Sequence, residues 1–165
     1  IEVVKSGIFT VILLLYMMFR GLNKISVDAK GRVSIPTKYR NELIKISKNE
    51  LICTIDLDHC LLLYPLKHWL KIEEKIMKLP SLDNSSRQLQ RLLVGHAVEI
   101  EIDSSSRILI PSELREFSKI NKEAMFIGQG KRFEIWDYFA WTKSREKWLQ
   151  KEKFSLPKDF EMLSL

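Results

Sequence analysis

The apolar positions of this chain change period several times, and each change marks an element. Val98, Ile100 and Ile102 alternate with Glu99, Glu101 and Asp103, which predicts a half-buried strand. Leu22, Ile25 and Val27 make a shorter, less regular strand. On the strand that returns after it, Val33 and Ile35 face away from Arg32 and Ser34. Residues 51–55 and 60–64 are apolar runs flanking Asp56-Leu57-Asp58-His59 and read as a hairpin. Residues 124–127 and 133–136 read the same way around Gly128-Gln129-Gly130-Lys131. Tyr39, Leu43 and Ile46 stand at i, i+4 and i+7 and predict a core-facing helix over 37–46. Further helices are predicted over 66–79, 87–94, 112–117 and 138–151. Pro36, Pro65 and Pro111 each end a strand and can open a helix, because the missing N–H of proline costs nothing in a first helical turn. Mixed strands and helices in this order define an α+β fold.

The pattern occurs twice. Asp28-Ala29-Lys30-Gly31-Arg32-Val33-Ser34-Ile35-Pro36 and Arg40 recur as Asp103-Ser104-Ser105-Ser106-Arg107-Ile108-Leu109-Ile110-Pro111 and Arg115, an offset of 75 residues from Asp28 to Asp103. Tyr64 and Trp69 recur as Trp136 and Trp141, an offset of 72. Two copies are too few for a solenoid. A half of about 60 residues is marginal alone, so two pseudo-symmetric halves sharing one core are expected. The expected organisation is a first half over 18–80, a linker and helix over 81–96, a second half over 97–152 and a tail over 153–165. Residues 1–17 stand outside this pattern. Residues 7–19 are nearly all apolar, but a span needs about 20 such residues. They read as an upstream extension, with Met18 the expected natural start. A short membrane-associated anchor is the alternative.

Charge narrows the partner class. The 165 residues carry 27 Lys and Arg against 21 Asp and Glu, a net +6. That sign suits a polyanion, nucleic acid or an anionic membrane surface, and equally a soluble protein that is merely basic. The two cysteines, Cys53 and Cys60, are too few for a disulfide framework and read as small buried thiols. Cys53, His59, Cys60 and His68 lack zinc-ligand spacing. No nucleophile–base set or clustered carboxylate pair suggests an enzyme, and no cofactor is expected.

The chemistry sits in Asp-x-x-x-Arg. A carboxylate opening a tight turn can accept backbone N–H groups and also pair with the arginine leaving the turn. Held that way, a guanidinium presents a planar fork suited to phosphate or guanine. The plainer reading is an exposed ion pair worth at most about 1 kcal/mol. Two copies in one basic chain favour binding. The candidate contacts are Arg20, Lys24, Lys30, Arg32, Lys38, Arg40, Arg107 and Arg115, with Asp28, Gly31 and Asp103 shaping the turns. The second turn has lost Lys30 and Gly31 equivalents, and Glu113 replaces Lys38, so the first half is expected to make the stronger contact.

These residues resemble the MraZ family. The likeness runs from Met18-Phe19-Arg20-Gly21 through Cys53-Thr54-Ile55-Asp56, Leu61-Leu62-Leu63-Tyr64-Pro65 and Arg91-Leu92-Leu93-Val94-Gly95-His96-Ala97 to Phe133-Glu134-Ile135-Trp136. Each half also resembles the AbrB swapped-hairpin domain. The resemblance implies two AbrB/SpoVT-like swapped-hairpin β-barrel halves with flanking helices. It implies a sequence-specific DNA-binding repressor of the division and cell-wall gene cluster. Such a protein binds promoter direct repeats as a ring-like homo-oligomer, in the cytoplasm and associated with the nucleoid. No stable membrane partner is expected. Under this resemblance Arg32 and Arg107 inherit DNA recognition, and Arg40 and Arg115 align with helix arginines used in AbrB-like binding. An antitoxin-type protein-interaction module is the alternative.

Overall fold

A computed structural model describes residues 18–150; the extension before residue 18 and the tail after 152, with the readings attached to them, lie outside the described residues. Eight strands and five helices follow in order. The first half holds β1 (Phe19–Ser26), β2 (Arg32–Ser34), α1 (Thr37–Ser47), β3 (Glu50–Ile55), β4 (Leu61–Pro65) and α2 (Leu66–Met77). Then come α3 (Asn84–Leu93), β5 (Val98–Glu101), β6 (Arg107–Leu109), α4 (Ser112–Ser118), β7 (Glu123–Gly130), β8 (Arg132–Asp137) and α5 (Tyr138–Leu149). Pro36, Pro65 and Pro111 cap α1, α2 and α4, as the missing N–H predicts.

The halves exchange strands. Six strands form one antiparallel sheet in the order β1-β7-β8-β4-β3-β5, and β2 pairs with β6 as a separate two-stranded ribbon. Thus β1 lies on β7 of the other half, and β5 lies on β3. Swapping equivalent strands between halves reverses this order onto itself, which is the signature of an internal two-fold axis. The register locates that axis. Val33 pairs directly with Ile108, and Leu62 with Glu134, and each pair joins equivalent positions of the two copies. The repeat offset falls from 75 to 72 along the chain because α4 is four residues shorter than α1 and the stretch after it, up to Trp136, is one residue longer than its counterpart up to Tyr64.

The main core lies between the sheet and the ribbon. Val33, Ile35, Tyr39 and Leu43 from the first half meet Ile108, Ile110, Leu114, Phe126 and Phe133 from the second. Val33 and Ile108 are each about 1% exposed, so the ribbon is bound to the sheet by apolar burial at its centre. Tyr39 ties α1 to β1: its hydroxyl donates to the Arg20 carbonyl at 2.8 Å and accepts from Asn23 Nδ2 at 3.1 Å. Smaller clusters cover the other sheet face, with α2 and α3 over Ile52, Leu62 and Tyr64, and α5 over Met125, Ile127 and Trp136. The aromatic repeat is preserved in space. Tyr64 and Trp69 ring centres are 5.6 Å apart, and Trp136 and Trp141 are 5.7 Å apart.

Three sequence expectations shift. The first strand begins at Phe19, which is buried, while Leu22 falls on the outer side of β1 at 49% exposure. Its apolar neighbour on that side is Ile127 of β7, and the core-facing positions are Phe19, Asn23 and Ile25. The second hairpin is tighter than expected, since Gly128 and Gln129 pair with Phe133 and Arg132 inside the ladder. Gly128 must be glycine there: a Cβ would stand 2.6 Å from the Arg20 amide nitrogen of the neighbouring strand. The third helix starts at Asn84, three residues early, because Asp83 accepts the Ser86 amide at 2.6 Å and caps it.

Ile108→Ala, which cuts the centre of the ribbon's burial, is expected to cost about 2–5 kcal/mol. A fall in the urea midpoint with little change in slope is the measurement that checks it.

Candidate nucleic-acid interface

Each hairpin turn is built by one aspartate. Asp28 Oδ1 accepts the Lys30 and Arg32 amides, each at 2.9 Å, and Oδ2 accepts Arg32 Nε at 2.7 Å. Asp103 repeats this with the Ser105 and Arg107 amides at 2.8 and 2.9 Å and Arg107 Nε at 2.9 Å. A backbone bond from Gly31 N to the Asp28 carbonyl, and from Ser106 N to Asp103, closes each loop at 2.9 Å. The third loop residue is left-handed in both: Gly31 at φ +86° and Ser106 at φ +58°. The second loop therefore keeps its shape without glycine.

The turns are also locked by the opposite half. Ile110 N donates to the Gly31 carbonyl at 3.0 Å, and Ile35 N donates to the Ser106 carbonyl at 2.9 Å. Arg115 lies flat on the first turn, so that a Cβ on Gly31 would stand 2.5 Å from its Nε. Glycine suits the positive φ here, and the arginine tip is flexible enough to move aside.

The outward geometry follows from the ladder. Arg32 pairs with Leu109, and Ser34 pairs with Arg107, on either side of the buried Val33–Ile108 pair. Alternation puts Arg32, Leu109, Ser34 and Arg107 on one face, opposite the core. The arginine Cα atoms are diagonal neighbours, about 7–8 Å apart. Their side chains are 32% and 34% exposed, each held by its aspartate. Both guanidinium groups are therefore outside the fold, on the same side, and pre-oriented.

The other candidates divide. Lys30 is exposed at the tip of the first turn. Arg40 and Arg115 are half-buried and turn inward at Nε, donating to the Ile35 carbonyl at 2.8 Å and the Ile110 carbonyl at 3.2 Å. Those bonds brace the two Ile-Pro corners. Arg20 and Lys24 alternate with the core-facing side chains of β1, so they leave the sheet on the side away from the core and the ribbon. Lys24 is engaged there, 2.8 Å from Glu123 and 4.0 Å above the Tyr138 ring. The Glu123 hydrogen bond raises its pKa. Lys38 drapes over Gly21, with Nζ 4.8 Å from the Tyr39 ring centre. The structure thus brings together Arg32, Arg107 and Arg115 with the first turn, and sets Arg20 and Lys24 elsewhere. Sequence reasoning missed Leu109 as a member of the exposed face, and Glu123 as the partner of Lys24. The first was legible from the period of two; the second needs the β1–β7 pairing.

The thiols take no part. Both are free and buried, and Cys53 pairs across the hairpin with Leu63 rather than Cys60. Burial pushes the Cys53 pKa up to about 12 and raises that of Cys60 as well. Among the described residues no cluster of His, Cys, Asp and Glu is arranged to share a metal ion, and no helix is long and apolar enough to cross a membrane.

An exposed, two-fold related pair of arginine-presenting hairpins on an exchanged-strand sheet places the chain in a definite class of α+β proteins. The family model described as "MraZ protein, putative antitoxin-like" matches residues 18–92 and again 93–162, and the chain belongs to the MraZ family. It is 48% identical over 133 residues to the transcriptional regulator MraZ of Methylococcus capsulatus, covering 81% of this chain and 88% of that protein. It is 44% identical over 152 residues to the transcriptional regulator MraZ of Legionella pneumophila strain Corby, covering 90% and 100%. The transcriptional regulator MraZ of Pseudomonas fluorescens is 54% identical over 125 residues, covering 75% and 83%.

The Asp28 carboxyl is held at about 2, first by the Arg32 amide, then by the Arg32 side chain and the Lys30 amide. Asp103 is lowered by the matching groups, the Arg107 amide first. A depressed carboxylate stabilises the fold fully above its unfolded pKa, and that contribution disappears as pH falls toward 2. NMR titration is expected to place the Asp28 midpoint near 2. In Arg32→Ala it rises only part of the way to an ordinary carboxylate, because the backbone amides remain.

Proposed function

We propose that this chain is a sequence-specific DNA-binding transcriptional repressor that reads double-stranded DNA with the β2–β6 ribbon. The observation that carries this reading is the diagonal placement of Arg32 and Arg107 on one exposed ribbon face astride the internal axis. A major groove about 12 Å wide admits a two-stranded ribbon. The Nε atoms are held by Asp28 and Asp103, so the forks meet guanine edges with little rotamer freedom left to lose. Each such contact discriminates by about 1–3 kcal/mol. Lys30 serves phosphate, and Arg20, Lys24 and Lys38 add to the positive field. Arg40 and Arg115 join them as DNA contacts, with Nε of each tying an Ile-Pro corner of the ribbon.

On this reading the halves are AbrB-like swapped-hairpin units wrapped around one barrel-like core, with boundaries near residues 80 and 97. The resemblance supports a role at the division and cell-wall gene cluster, through promoter direct repeats. Self-association is supported by the sheet edges. β1 and β5 end the sheet, and β1 carries Arg20 while β5 and its neighbour expose Glu50, Glu99 and Glu101. Opposite charges on opposite edges favour head-to-tail contact between copies, the arrangement that closes into rings. Several ribbons on one ring then bind several repeats through effective concentration. This assembly acts in the cytoplasm, on the nucleoid.

Fluorescence anisotropy with promoter duplex tests the site. Arg32→Ala is expected to weaken binding about 5- to 150-fold, the equivalent of 1–3 kcal/mol, while the oligomer survives in light scattering. Unchanged affinity would overturn the assignment. Lys30→Ala weakens all sequences alike and lowers the salt slope by about 1. Lys24→Ala, already paired to Glu123, is expected to change affinity less than Lys30→Ala does.

A further inference from the structure

We infer that Leu109 is a specificity residue that packs on the C5-methyl group of a thymine, and that it gives the bound site a direction. The inference rests on the DNA-binding reading above. Single exposed leucines are ordinary on protein surfaces and signify nothing alone. Leu109 is distinguished by its place. It is 53% exposed, sits directly across the ladder from Arg32, and belongs to the ribbon face turned away from the core. Direct ladder partners have Cβ atoms about 4.5–5.5 Å apart, so whatever base pair Arg32 reads, Leu109 stands over that pair or the next. In the major groove the only apolar feature of a base pair is the thymine methyl.

The other half makes the comparison internally. Ser34 occupies the position equivalent to Leu109, and it lies across the ladder from Arg107. One end of the ribbon face is therefore guanidinium plus isobutyl, and the other is guanidinium plus hydroxyl. A strictly two-fold ribbon would read a palindrome. This one presents the same polar fork at both ends and an apolar contact at only one. Serine can bond to many base edges and selects weakly, whereas the leucine side chain rewards thymine and strands the polar edges of other bases. The turns add to the inequality, with Lys30 beside Arg32 and Ser105 beside Arg107.

The test uses the full chain and the tightest duplex it selects from a random-sequence library. Each thymine of that duplex is replaced singly by uracil, which removes only the C5-methyl. The wild type is expected to lose about fourfold in affinity at one thymine within one base pair of the guanine read by Arg32, the value of about 0.8 kcal/mol for one buried carbon. Leu109→Ser is expected to bind the uracil and thymine duplexes equally. Leu109→Met keeps an apolar tip and is expected to keep the preference. Equal binding of thymine and uracil at every position by the wild type, with Arg32→Ala still impaired, overturns the inference and leaves the DNA reading standing. A uracil effect that persists unchanged in Leu109→Ser also overturns it. Selection of no preferred duplex, or full binding by Arg32→Ala, overturns the reading and this inference together.

Discussion

The pairing of β2 with β6 across the internal axis is the constraint on which the exposed surface depends. It is a ladder of only three residues on each side, held by the Val33–Ile108 contact at its centre and by bonds from each Ile-Pro corner to the opposite turn. No residue of the ribbon is placed by its own half alone. The apolar side of the ladder fixes its attachment, and alternation then fixes which four side chains face solvent. The arginines are thus positioned by burial on the far side of the same strands.

Most of the architecture was legible because the chain repeats its own punctuation. Three prolines sit between strand and helix, and the aspartate–arginine spacing occurs twice, so element order followed from pattern alone. Strand exchange did not, since periodicity says which face is buried and nothing about which strand lies alongside. Here the family resemblance supplied the swapped hairpins, and the sheet order interleaves strands of the two copies. The lengths of β1 and β7 were underestimated for a local reason. Gly21, Gly128 and Gly130 look like breakers, yet they lie inside the ladder, where Gly128 admits a neighbouring backbone.

The candidate site was legible in residue type and less so in direction. Arg32 and Arg107 were found from the turn motif. Arg40 and Arg115 carry the same charge at matched positions, but their Nε atoms turn to carbonyls. Lys24 reads as a free cation until the sheet brings Glu123 alongside. Pairing across strands, as between Lys24 and Glu123, has no local signature in the sequence. The same blindness hides Leu109, whose exposure comes from the buried residue beside it rather than from its own chemistry.

Both turns borrow their final hydrogen bond from the opposite half, and both halves belong to one polypeptide. Two separate chains building the same ribbon would have to meet first, and the ribbon would vanish on dilution. Joined covalently, it exists whenever a single molecule is folded, at any cellular copy number. Fusion also releases the copies from the need to remain identical. Serine at one end of the ribbon and leucine at the other are a difference that a dimer of one gene product could never display.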